Sequence, residues 1–263
     1  MSLLEPQMKG SPYQNEIALD DFSGWHSLSP ELWVYFSADA PSFVVEIDST
    51  SDIFTPGMRV RLKQDSGKQD SGVYKYFGIN KVEITTKTYL TLYGGTSFTL
   101  ANETITEVAV SNAKAPYGFP LEESYWSVVV SDANDRTQSS PVALTWYNLD
   151  PSHKIDLPVG AWKVSFDAVA GGANTSLAVS TYVTLSTANN SESDVNNTVT
   201  LYYTTGSATA FTVAQTVSKS MLISVLSKTS YYLNVKHNMV SMTSIGLYGT
   251  QQPIIIRAVW AYL

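Results

Sequence analysis

Trp162-Lys163-Val164-Ser165-Phe166-Asp167 alternates apolar and polar residues without a fault. Successive side chains of an extended chain point to opposite faces, so Trp162, Val164 and Phe166 share one face and Lys163, Ser165 and Asp167 the other. The same period of two recurs on both sides of this stretch. Upstream, Phe43, Val45 and Ile47 oppose Glu46 and Asp48, and Met58, Val60 and Leu62 alternate with Arg59, Arg61 and Lys63. Residues 74–79 and 89–93 read as further strands, the second stopped by Gly94-Gly95. Downstream come Val183 and Leu185; Val199, Leu201 and Tyr203; Phe211 and Val213; Met221, Ile223 and Val225; and Tyr231, Leu233 and Val235. Gly171-Gly172, residues 188–197 and Gly206-Ser207 read as the turns between them, and residues 65–72 as a polar hairpin loop. No window sustains a 3.6-residue period over helical length. The pattern predicts an all-β protein: a small N-terminal β domain, then a C-terminal antiparallel β-sandwich head of jelly-roll type.

Ala115-Pro116-Tyr117-Gly118-Phe119-Pro120 interrupts the alternation, and two prolines with a glycine cannot continue a central strand. The expected division is therefore an N-terminal arm over 1–21, a β domain over 22–117 and the sandwich over 118–263.

The chain has 263 residues and a formal net charge of −7, with 16 basic residues scattered among 23 acidic ones. Binding to duplex nucleic acid needs clustered Lys and Arg, so neither nucleic acid nor an anionic membrane is an expected partner. Hydrophobic residues make up 44%, enough for a sizeable core, while charged residues at 15% fall below the usual quarter. The polar surface is therefore built from Ser, Thr, Asn, Gln and Tyr. There is no cysteine, which excludes disulfides, thiolate metal sites and thiol nucleophiles. No stretch approaches the roughly 20 apolar residues of a membrane span. No signal-peptide pattern opens the sequence, which fits release by host lysis and an intracellular protein equally.

Motifs for chemistry are sparse. His26, His153 and His237 stand on separate segments without metal-ligand spacing, and His153 reads as a solvated loop residue. Neither a GxSxG elbow nor a phosphate-cradling glycine loop is present. Three acid pairs (Glu122-Glu123, Asp132 with Asp135, Glu192 with Asp194) sit in polar, turn-like settings, whereas a catalytic acid needs a dry pocket to raise its pKa. The expectation is no catalytic residue, no metal and no cofactor, with a wall-polysaccharide hydrolase the weakest of three readings. The oxygen-rich loop 189–194 lacks the order and the glycine of an EF-hand and leaves calcium binding open.

Two features point to binding. Tyr182, Tyr202 and Tyr232 fall opposite the core residues of their strands, where they would form a saccharide platform, lie in a subunit interface or pack singly against neighbours. The terminal run alternates Ile254, Ile256, Ala258, Trp260 and Tyr262 with Ile255, Val259, Ala261 and Leu263. A strand apolar on both faces must be covered on both. Ile255, Val259 and Leu263 are thus candidates for an oligomer interface, the alternative being cover by the N-terminal domain or a loop.

Trp33-Val34-Tyr35 through Phe43, the run 54–64, and Tyr74-Lys75-Tyr76-Phe77 resemble a domain recurrent in tail and fibre proteins of tailed bacteriophages. Thr91-Leu92-Tyr93-Gly94-Gly95, Thr99-Leu100-Ala101-Asn102 and Tyr117-Gly118-Phe119-Pro120 continue the pattern, so the resemblance covers about residues 22–120. Val183-Thr184-Leu185-Ser186-Thr187, Tyr231-Tyr232-Leu233-Asn234-Val235 and the ending 257–263 look like the β-sandwich heads that follow it. The resemblance implies a homotrimeric virion tail component that binds host cell-wall saccharide or teichoic acid beside other tail proteins, with no catalytic motif. A purely structural adaptor or decoration protein is the alternative.

Overall fold

A computed structural model describes residues 23–64, 73–174, 178–204, 211–240 and 242–263. The expected arm at 1–21, the loop 65–72 and the turn at 206–207 lie outside the described residues. The described chain is all-β: its only helical pieces are 3-10 turns of three or four residues. Contacts divide it into two compact units, one running to residue 125 and including 262–263, the other spanning 126–261.

The first unit contains β1 (His26–Leu28), β2 (Trp33–Asp39), β3 (Ser42–Ile47), β4 (Arg59–Gln64), β5 (Lys75–Ile84), β6 (Thr88–Tyr93) and β7 (Ile105–Ser111). They form one antiparallel sheet in the order β1-β7-β4-β5-β6-β3-β2. The alternation sets which face is buried. Val60 and Leu62 of β4, Phe43 and Val45 of β3, and Leu90 and Leu92 of β6 all lie in one core. Burying each such side chain is worth roughly 1.5–3 kcal/mol. Three register shifts, between Tyr35 and Ser37, Lys63 and Gln64, and Ile79 and Lys81, bend the sheet. The Pro/Gly stretch at 115–120 sits within this unit, where the Tyr117 carbonyl accepts a 2.8 Å hydrogen bond from the indole of buried Trp25.

The second unit contains β8 (Ser127–Asp132), β9 (Asp135–Ser139), β10 (Lys154–Leu157), β11 (Gly160–Asn174), β12 (Ala178–Ser186), β13 (Thr198–Thr204), β14 (Phe211–Val225), β15 (Thr229–His237), β16 (Met242–Tyr248) and β17 (Ile254–Trp260). Two antiparallel sheets make a sandwich, β10-β15-β12-β13 against β8-β17-β11-β16-β9, with β14 paired along the other edge of β11. Trp162, Val164 and Phe166 of β11 are fully buried, as are Val183, Leu185, Leu233 and Val235 of the smaller sheet. The hydroxyl of Tyr203 on β13 donates a 2.8 Å hydrogen bond to the Ala170 carbonyl of β11 and ties the sheets together.

Two expectations need correction. Gly171-Gly172 is not a turn but the interior of β11, fifteen residues long. Here β11 is flanked by β14 and β16, and a Cβ on Gly171 would lie 1.8 Å from the Val213 carbonyl oxygen, one on Gly172 2.3 Å from that of Ser244. The glycines permit close backbone approach rather than a reversal. The terminal alternation also stops early: β17 ends at Trp260, and Tyr262 groups with the first unit instead of extending the sandwich core.

Candidate functional site

Strand register places all three predicted tyrosines on the outer face of the β10-β15-β12-β13 sheet. Tyr182 of β12 pairs with Thr200 and Ser180 pairs with Tyr202, so Tyr182 and Tyr202 are diagonal neighbours. Such neighbours lie about 7–8 Å apart. Tyr182 also pairs with Lys236 of β15, whose ammonium sits 4.9 Å from the Tyr182 ring and 4.3 Å from that of Trp146. Tyr202 is 64% exposed, while Tyr182, Lys236 and Trp146 are half-buried. Tyr232 pairs with Ser186, four residues along β12 from Tyr182, which at strand rise is about 13 Å.

The chain after β12 builds a wall on this face. It folds back over Thr184, Ser186 and Asn234, which are fully buried although they point outward. The Asn234 amide donates to the carbonyls of Ala188 (3.0 Å) and Ser191 (2.8 Å) and accepts from the Asn190 N–H at 3.2 Å. Asn190 has φ 54°, a left-handed conformation that Asn tolerates. Its side-chain oxygen accepts from the Asn148 N–H at 2.6 Å, and the Asn148 amide donates to the Leu233 carbonyl at 3.0 Å. The Thr198 hydroxyl donates to Glu192, and Asp194 accepts from the Asn196 N–H at 2.9 Å. The oxygens of loop 189–194 thus serve to fix a rigid wall. Asn234 stands between Lys236 and Tyr232 on β15, so the loop covering it separates Tyr232 from the other two tyrosines. The structure brings together Tyr182 and Tyr202 and adds Lys236 and Trp146, which the sequence reading missed. Lys236 was findable, since it continues the outward row Tyr232, Asn234, Lys236. Trp146 was not: it comes from a segment without alternation that reaches β15 through a bridge of Tyr147 to Val235.

Chemically, this face offers an exposed phenol ring and a Lys ammonium with three donors packed over two aromatic rings. A pyranose ring matches that set, because its C–H face packs on aromatic carbon while its hydroxyls take hydrogen bonds.

The acid pairs are engaged in local bonds. Asp132 is buried and accepts from Arg136 Nε (2.7 Å), Asn134 N (2.9 Å) and Nδ2 (2.7 Å), with His153 Nε2 at 3.1 Å. These partners, the Arg136 guanidinium foremost, hold its carboxyl far below the usual range. Asp135 accepts from the Thr250 hydroxyl at 2.7 Å, and Glu122 from that of Ser124 at 2.7 Å. His153 is fully buried against Asp132, which corrects the expectation of a solvated loop histidine.

Ile255 and Val259 lie half-buried on the outer face of β17. Val259 pairs with Lys163, which pairs on its other side with Leu222, 80% exposed. Arg257 interrupts β17 between them, opposite Val129, 48% exposed. Leu263 does not share this face: it lies past the end of β17 and groups with the first unit.

No family model matches the chain, and no curated protein does. Among solved structures, latent PorU from Porphyromonas gingivalis aligns at 11% identity and TM-score 0.31, covering 86% of this chain and 24% of that one. A structure of infectious bursal disease virus, Gt strain, aligns at 10% identity and TM-score 0.31, covering 89% of this chain and 64% of that one. This chain therefore spans under two thirds of either, and superpositions this loose carry no argument about fold or function.

Proposed function

We propose that the protein is a tail component of a bacteriophage virion that contacts a saccharide of the host cell surface through the outer face of β12, β13 and β15. The observation that carries this reading is the exposed Tyr202 ring beside the Tyr182–Lys236–Trp146 cluster on a rigid sheet. The resemblance of residues 22–120 to tail and fibre proteins supplies the virion context, and wall saccharide or teichoic acid the receptor class. The working form is a homotrimer held through the outer face of β17, where Leu222 and Val129 add exposed apolar surface to Ile255 and Val259. Linking several weak sites raises avidity by about 10²–10⁴. In the second reading, a structural virion protein without a ligand, the tyrosine face contacts a neighbouring subunit. Adsorption of fluorescently labelled protein to bacterial cells separates the two. Receptor binding gives saturable labelling that free wall polysaccharide competes away. Unlabelled cells across a panel of hosts would leave the structural reading.

A further inference from the structure

Arg59, Arg61 and Lys63 form an outward row on β4, opposite the core residues Val60 and Leu62. Aromatic rings line the row. The Arg59 guanidinium lies 5.2 Å from the Phe119 ring, that of Arg61 4.9 Å from Trp25 and 4.7 Å from Tyr74, and the Lys63 ammonium 4.4 Å from Tyr74. Two of these cations are committed elsewhere. Arg59 donates to the Gly57 carbonyl and, at 2.6 Å, to that of Tyr262. Lys63 pairs with Glu107 at 2.9 Å.

Arg61 differs. Among the described residues it forms no ion pair within 4.0 Å, and its Nε is buried with no hydrogen-bond partner. Glu107, the neighbouring acid, is already engaged: one oxygen accepts from Lys63 and the other from the Tyr74 hydroxyl at 2.6 Å. Those bonds, the Tyr74 bond first, hold Glu107 below the usual carboxylate range, and the nearby Arg61 charge adds to the effect, so two cations face one carboxylate and the patch stays net positive. A cleft of about 140 Å³ opens here, lined by Ser27, Arg61, Tyr74, Thr106, Glu107 and Ala109. Ring contacts engage the flat surface of a guanidinium and leave its edge, where the N–H donors form a fork matched to two oxygens of one anion.

We propose that the Arg61 cleft binds an oxyanionic group, the phosphodiester or carboxylate of a polyanionic chain. The site belongs to the first unit and does not rest on the tyrosine face, so either can fail while the other stands. The test is NMR on the full ¹⁵N-labelled chain, following the Arg61 Nε–H signal and the Thr106 and Ala109 amides while dimethyl phosphate or sodium acetate is added. Saturable displacement is expected, and the probe that saturates at lower concentration identifies the class. Arg61→Lys keeps the charge but loses the fork and should weaken binding about tenfold. Thr106→Glu leaves Arg61 and its rings in place, sets a carboxylate at the exposed lip, and should abolish the displacement. No displacement by either probe, or the same displacement in Thr106→Glu, overturns the proposal.

Discussion

Gly171→Ala sets two effects of opposite sign against each other. Alanine is favoured over glycine in a strand interior by roughly 0.5–1 kcal/mol, because glycine loses more backbone freedom on folding. Propensity alone therefore predicts stabilisation. The structure predicts the reverse. A Cβ at Gly171 would lie 1.8 Å from the Val213 carbonyl oxygen and 2.7 Å from the Ala214 Cα, and both are backbone atoms. They cannot swing aside, because β14 is paired with β11 along fifteen residues and β16 holds the opposite edge at Gly246. Relief requires the β11–β14 ladder to part. Overpacking usually costs about 1–3 kcal/mol, and contact with backbone belongs at the top of that range, about 3 kcal/mol. The net loss is about 2 kcal/mol or more, which lowers the melting temperature by about 4–8 °C at 2–4 °C per kcal/mol. Circular dichroism at the β band during a thermal scan, repeated in urea, measures it. A variant that melts at or above the wild type would refute the close approach inferred at this glycine pair.

Other consequences follow from single side chains. Asp132→Ala removes the partner shared by Arg136 and His153, but Arg136 is partly exposed and keeps Asp150 at 3.1 Å, so the cost in urea unfolding at neutral pH should be about 1–2 kcal/mol. The Asp132 carboxyl is depressed in the folded state, so its stabilisation is complete above the ordinary aspartate range and fades as pH falls below about 4. The gap between wild type and variant should therefore narrow in acid; a gap constant from pH 7 to pH 3 would contradict the ion-pair assignment. Val259→Asp places a carboxylate on the outer face of β17 and should split the assembly, read as a fall in mass by light scattering; a wild type already monomeric at micromolar concentration would end the oligomer proposal. Lys236→Ala frees the Trp146 ring. The other five tryptophans are buried, so acrylamide quenching should rise in this variant, and unchanged quenching would count against the cation–π contact.

Much of the fold was legible because many strands turn an apolar face to a core and a more polar face away from it. Trp162, Val164 and Phe166 announced β11, and Tyr231, Leu233 and Val235 announced β15, since alternation is what a half-buried strand requires. Gly171-Gly172 misled because the same residue serves tight turns and close strand packing, and only the neighbours reveal which applies. His153 misled similarly: its Asp-Pro-Ser setting reads as solvent, but Asp132, 21 residues away, gives it a buried partner. At the candidate site, parity alone put Tyr182, Tyr202 and Tyr232 on one face. It could not foresee the loop over Asn234 that sets Tyr232 apart, nor Trp146, because both arise from irregular segments, one held by the Asn234 amide and the other by the backbone bridge of Tyr147 to Val235.

The central claim is that Tyr182, Tyr202 and Lys236 form a saccharide-binding face. A glycan array carrying bacterial wall and capsule fragments, probed with wild type, Tyr202→Ala and Lys236→Ala, tests it most directly. Tyr202 is exposed, so its truncation should leave folding intact, and loss of a stacked ring should weaken binding by about 1 kcal/mol or more, five-fold or greater. The account predicts that wild type is retained on a defined set of fragments and that both variants lose that set. Retention of the same fragments by Tyr202→Ala at equal strength, or no retention of the wild type at all, would contradict it.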